Sequence, residues 1–153
     1  VAIDFKCYKG TLTELKHDIV REGYTYDLRV AERIARQMVP AESVYQAALM
    51  KDLKKRAAKE ALPIVIYKAA QGRYSRGGVA DIQAVIGGVA VAVEVKRPVF
   101  GKTSKLQEQF LREFNEAGGV GCVAVWPEDL DKPWAKVLWL TKGIKEGGNA
   151  YGI

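Results

Sequence analysis

Apolar positions along the chain follow two rhythms. Residues 11 to 38 and 40 to 62 repeat them at helical spacing, whereas residues 63 to 69 and 77 to 98 run or alternate as strands do. The stretch TLTELKHDIVREG predicts a helix with a capping box from Thr11 and Glu14 and a stop at Gly23. YDLRVAERIARQM predicts a second, beginning near Asp27. Pro40 opens the longest, PAESVYQAALMKDLKKRAAKEAL, with Val44, Ala48, Leu49, Leu53, Ala57 and Ala61 as its apolar stripe. PIVIYKA reads as a strand, and GGVADIQAVIGGVAVAVEVKRP as a hairpin around Gly87-Gly88. TSKLQEQFLREFNEAGG is an amphipathic helix capped at Ser104 and stopped by Gly118 and Gly119. VGCVAVW is a buried strand, and PEDLDKPWAKVLWL predicts a short helix or turn followed by an edge strand. The order ααα-β-ββ-α-β-β is that of an α/β sandwich with a mixed sheet.

The hairpin carries chemistry in its most apolar part. A two-residue primed turn at Gly87-Gly88, or a symmetric four-residue loop, sets Asp81 opposite Glu94, Gln83 opposite Ala92 and Val85 opposite Ala90 on one face. The other face pairs Ile82 with Val93, Ala84 with Val91 and Ala80 with Val95, and is the expected core. Opposed residues have Cβ atoms about 4.5–5.5 Å apart, where two like charges destabilise. Solvent exposure relieves that repulsion, and so does a salt bridge to Lys96, which alternation places on the face of Glu94. A divalent cation held by both carboxylates also relieves it, and the oxygen set suits Mg²⁺ or Mn²⁺.

Charge and composition narrow the function. The 153 residues form a chain of ordinary domain size, with 48% apolar content and a formal net charge of +6. An anionic partner is expected, nucleic acid ahead of a membrane surface. No run of 18 apolar residues exists, so no spanning helix is expected. The start VAIDFKCYKG shows no signal-peptide pattern, and its lack of an initiator Met suggests a trimmed or incomplete start. Cys7 and Cys122 lack metal-ligand spacing and are expected to be reduced, with Cys122 in the core, which points to an intracellular protein. The single histidine, His17, reads as a surface residue and excludes multi-histidine zinc and histidine-metal nuclease sites. FGKTSK lacks the leading glycine of a P-loop, because that position is Lys96.

Asp81, then Glu94-Val95-Lys96, then Gln107 on the next helix resembles the PD-(D/E)XK nuclease superfamily. More narrowly, residues 40 to 140 look like a VRR-NUC domain, the virus-type replication and repair nuclease module. Ala80 departs from the family's usual proline before the aspartate.

The resemblance implies a restriction-endonuclease-like mixed sheet flanked by helices over residues 41–153, with residues 1–40 a helical extension for dimerisation or DNA contact. It implies Mg²⁺ or Mn²⁺ held by Asp81, Glu94 and the Val95 backbone carbonyl, with Glu42 binding directly or through water. Gln46, one turn from Glu42, is the alternative. Lys96 would orient or deprotonate the attacking water, and Gln107 would bond near Lys96 or the phosphate. The product would be a cut phosphodiester in DNA. By analogy with short stand-alone relatives, a homodimer and a branched substrate such as a Holliday junction are expected. The compartment is then the cytoplasm of a bacterial or phage-infected cell, or a eukaryotic nucleus.

Beside the site, GRYSRGG offers Arg73, Tyr74 and Arg76, and KRPVFGKTSK offers Arg97, Lys102 and Lys105, for phosphate and base contact. Plainer readings stand beside these. Lys96 can be a structural ion pair, Ser104-x-x-Gln107 is itself a capping box, and the basic half of the third helix can be a solvated face. The rival to a nuclease is a DNA-binding module that keeps the fold without catalysis.

Overall fold

The computed structural model describes residues 2–70, 72 and 76–146. Its elements are α1 (Leu12–Arg21), α2 (Leu28–Met38), α3 (Glu42–Lys59), β1 (Ile64–Lys68), β2 (Ile82–Ile86), β3 (Val89–Val95), α4 (Lys105–Glu116), β4 (Val120–Ala124), a 3₁₀ turn (Pro127–Leu130) and α5 (Asp131–Glu146). They form two compact units. One comprises residues up to Val44 together with Lys96–Lys102; the other comprises Tyr45–Val95 and the residues from Thr103 onward.

In the smaller unit, α1 is closed at its start by the Thr11–Glu14 capping box. At its end, Gly23 takes a φ of 81° so that Tyr24 N–H reaches the Ile19 carbonyl. Asp27 caps α2. Phe5, Leu15, Ile19, Ala31, Ala35 and Val39 are its core, with Val99 and Phe100 packed against them.

The larger unit is a four-stranded mixed sheet flanked by helices. Strand order is β1-β2-β3-β4, antiparallel except for β3–β4. Gly87 and Gly88 both hold positive φ (55° and 88°), as a primed turn requires, and the register pairs Ile82 with Val93 and Gln83 with Ala92. One face (Ile82, Ala84, Ile86, Val91, Val93, Val95) packs with Tyr45, Leu49, Leu53 and Ala57 of α3 and Trp134 and Val137 of α5. On the other face, Ala92 packs with Ala80, Leu111, Phe110 and Phe114, so α4 covers it.

Three expectations need correction. The C-terminal edge strand is α5: Trp134, Val137 and Thr141 are buried at helical spacing, and the 3₁₀ turn leads directly into the helix. The stripe of α3 begins at Tyr45, whose ring meets Trp126 edge-on; Val44 and Ala48 are exposed. Ala61 leaves the stripe because it adopts the left-handed conformation (φ 53°). Leu62 N–H then bonds Ala57 and Ala61 N–H bonds Ala58, ending the helix without glycine. Ala80, expected opposite Val95 in the main core, instead belongs to the α4 side, because β2 begins only at Ile82.

Candidate functional site

The ladder stops one residue short of Asp81, whose carbonyl still accepts from Ala69 N–H at 2.8 Å. Its side chain turns across to β3, where Oδ2 accepts the Val95 N–H at 2.9 Å. This contact ties the aspartate to the residue after Glu94 and leaves Asp81 half-buried. Glu94 is far drier, at 1% exposure, on a sheet face that it shares with Ala92 and, on β4, with Gly121 and Val123. A carboxylate taken that far from water costs several kcal/mol, as an order of magnitude, unless donors or cations compensate it.

One donor comes from α4. Gln107 Nε2 donates to Glu94 Oε1 at 2.6 Å, while Gln107 Oε1 accepts the Ser104 N–H at 2.9 Å and Ser104 Oγ accepts the Gln107 N–H at 3.2 Å. Helix cap and contact with the acid are therefore two ends of one amide. Since the Ser104 N–H can only donate, it draws the amide oxygen and leaves the NH₂ aimed at the carboxylate.

Two further devices hold α4 over this face. Gly78 (φ 79°) lies where a Cβ would stand 2.5 Å from the Leu106 backbone, so the loop entering Asp81 touches the first turn of α4 as closely as glycine allows. At the far end, Asn115 Nδ2 donates to the Leu111 and Gly121 carbonyls (2.9 and 3.0 Å) and Oδ1 accepts the Gly121 N–H (2.9 Å). That amide satisfies backbone groups of β4, an edge strand, and so docks the helix. Sequence reasoning did not single out Asn115 or Gly78; an asparagine one residue before the last of a helix has no readable signature without its partner.

The remaining candidates are placed as follows. Glu42 is the first residue of α3 and half-buried, as is Gln46; the unit division falls between them. Lys96 directly follows β3, is half-buried and belongs with the segment running to Lys102. Arg97 donates to the Arg36 and Val39 carbonyls (3.1 and 2.9 Å) and lies over the Phe100 ring at 4.7 Å. Arg76 ion-pairs with Glu113 and sits 5.4 Å from the Phe110 ring centre. Glu113's carboxyl lies below its usual range through hydrogen bonds from Gln109 and Arg76. Lys102 and Lys105 are exposed; Arg73 and Tyr74 fall outside the described residues. On the basic half of α3, Arg56 bonds Asp52 (2.6 Å), Asp131 (2.7 Å) and the Pro127 carbonyl (3.0 Å), which joins α3 to α5.

Among the described residues, no three His, Cys, Asp or Glu side chains gather as a metal-ligand group. Asp81 and Glu94 offer carboxylate oxygens, the donor type that a hard cation such as Mg²⁺ takes. Among the described residues no helix is long and apolar enough to cross a membrane. No family model matches the chain, and neither a characterised protein nor a solved structure does.

Proposed function

We propose that the protein is a metal-dependent DNA endonuclease of the VRR-NUC type within the PD-(D/E)XK superfamily. The observation that carries this reading is the arrangement about β3: Asp81 bonded to Val95 N–H at 2.9 Å, and the buried Glu94 held by Gln107 at 2.6 Å. An acid set deep in a sheet, with a neutral amide aimed at it, is expensive as architecture and useful as a fixed ligand.

Asp81, Glu94 and the Val95 carbonyl would hold Mg²⁺ or Mn²⁺. When bound there, the cation activates water and neutralises charge on the scissile phosphate. Gln107 orients Glu94, leaving its second oxygen directed by the first. Asp81 is oriented by the Val95 amide in the same way. Lys96 would position the attacking water or take its proton, and exposed Lys102 and Lys105 would meet the phosphate backbone. Branched DNA and a homodimer are the substrate and assembly that the resemblance suggests.

The test is cleavage of a panel (single strand, duplex, flap, four-way junction) with Mg²⁺ or Mn²⁺, beside an Asp81→Asn control. Metal-dependent cutting that the substitution abolishes supports the reading. Binding to the panel without cutting by the wild type favours the non-catalytic DNA-binding module instead.

A further inference from the structure

The smaller unit holds a cationic strip that its own packing leaves unexplained. On α2, Ala31 and Ala35 face the core, and Arg29, Arg33 and Arg36 stand on the opposite side at i, i+4 and i+7. At 3.6 residues per turn these three fall within about 60° of arc and span about 10.5 Å of helix axis. The acid beside them, Glu32, is already engaged by Arg36 (2.9 Å) and Lys16 (3.8 Å), and the Arg36 hydrogen bond holds its carboxyl below the usual range. The side chains of Arg29 and Arg33 have no ion pair or ring contact among the described residues.

The strip continues into the loop that carries Lys96. Arg36 and Arg97 both lie over the Phe100 ring, at 4.8 and 4.7 Å from its centre. Val99 is held at φ 70°, a strained conformation for a residue branched at Cβ. Gly101 fits so closely that a Cβ would stand 2.6 Å from Lys96 Cβ. At the other end of α2, Tyr26 is 97% exposed just before the helix cap. Arginines of α2 and a strained loop thus adjoin in one unit, joined where Arg36 and Arg97 meet Phe100. Guanidinium groups suit phosphate better than lysines do, because they are planar and donate in pairs.

We infer that the exposed face of α2, Arg29, Arg33 and Arg36 with the Phe100–Lys102 loop, is a second nucleic-acid surface that tracks a phosphate backbone toward Lys96. The choice of ligand rests on the nuclease reading; the surface itself does not. Its span covers roughly three steps of a strand rising 3.4 Å each.

The experiment uses the whole chain in Asp81→Asn form, so that nothing is cut, with a fluorescein-labelled duplex followed by anisotropy across a salt series. Arg29→Ala/Arg33→Ala should weaken binding by about tenfold or more. It should also flatten the slope of log affinity against log salt by about 1.8, two phosphate contacts at about 0.9 each. Lys142→Ala/Lys145→Ala on α5 removes equal charge elsewhere and should leave the slope unchanged. Both substitutions replace exposed helical residues with alanine, and matching circular dichroism verifies the fold. An unchanged slope in the α2 variant overturns the inference. So does an equal loss in the α5 variant, or binding confined to anionic phospholipid vesicles. Retained binding with no cleavage by the chain carrying Asp81 would fail the nuclease reading while leaving this surface standing.

Discussion

The two faces of the β2–β3 hairpin alternate residue by residue and do opposite work. Toward α3 and α5 stand Ile82, Ala84, Ile86, Val91, Val93 and Val95, side chains with nothing to offer but volume. Toward α4 stand Ala92 and Glu94, the first packed with Leu111 and the second bonded by Gln107. Ile82 and Asp81 are neighbours in the chain and belong to different problems. The first face is held by exclusion of water, and its energy scales with the area buried. The second is held by directed hydrogen bonds, which contribute little net stability and a great deal of geometry. Substitutions on the first face should therefore read out as stability, and those on the second as chemistry.

The largest effect tests the first half of that statement. Ile82→Ala opens a cavity in a fully buried row and should cost about 2–5 kcal/mol. Denaturant unfolding measures it. A loss under about 1 kcal/mol would mean that this face is not the packed one. The complement is Asp81→Asn, which keeps an acceptor for the Val95 N–H and removes one of two like charges. Its melting temperature should equal or exceed that of the wild type without metal. Cleavage should fall by at least about a hundredfold to a thousandfold, some 2.7–4 kcal/mol of barrier. A destabilised Asp81→Asn would place Asp81 with the structural residues.

Gln107 lies where the two kinds of work meet. Gln107→Ala removes both the cap and the donor to Glu94 and should cost about 1–3 kcal/mol. Gln107→Glu keeps an oxygen for the Ser104 N–H but turns the other end into a second acid against Glu94. If that variant melts like the wild type and cuts normally, the 2.6 Å contact contributes nothing and the amide is only a cap.

The periodicity of the chain made most of this frame legible. The Gly-Gly turn set the hairpin register, and the capping signals of α1, α2 and α4 were local and complete. What escaped was whatever depends on a partner distant in the chain. Nothing local tells that Lys96–Lys102 packs with the N-terminal helices, because Phe100 acquires meaning only between Arg36 and Arg97. α5 is hard to tell from a strand because Trp-Ala-Lys-Val-Leu-Trp is a nearly continuous apolar run, which suits either element. Only the burial of Trp134 and Val137, with Trp139 exposed, separates the two periods. The pairing of Ile82 with Val93 and of Gln83 with Ala92 followed from arithmetic. That Gln107 both caps and donates did not, since the sequence reading set the two roles against each other.

The smallest expected effect probes the dry face from its far strand. Cys122 pairs with Val93 across the β3–β4 ladder and packs against the main core. Burial, with a lesser contribution from the nearby Asp129 carboxylate, pushes its thiol up to about 12. Cys7, in the smaller unit, is exposed. Because only the thiolate is nucleophilic, a maleimide or disulfide reagent at pH 8 should label Cys7 rapidly and Cys122 slowly, giving one fast thiol and one slow. The raised value also fixes the sign of a stability effect. Between the ordinary value of 9.0 and about 12 the folded state holds a proton that the unfolded state has released. The contribution of Cys122 is therefore whole below pH 9 and fades as pH rises toward 12. Cys122→Ala should flatten that alkaline decline relative to the wild type, with little change at pH 7 beyond a small cavity. Equal labelling of both thiols, or parallel pH curves for the two proteins, would show that water reaches the α3–α5 face at β4. The contrast between the faces would then end at β3.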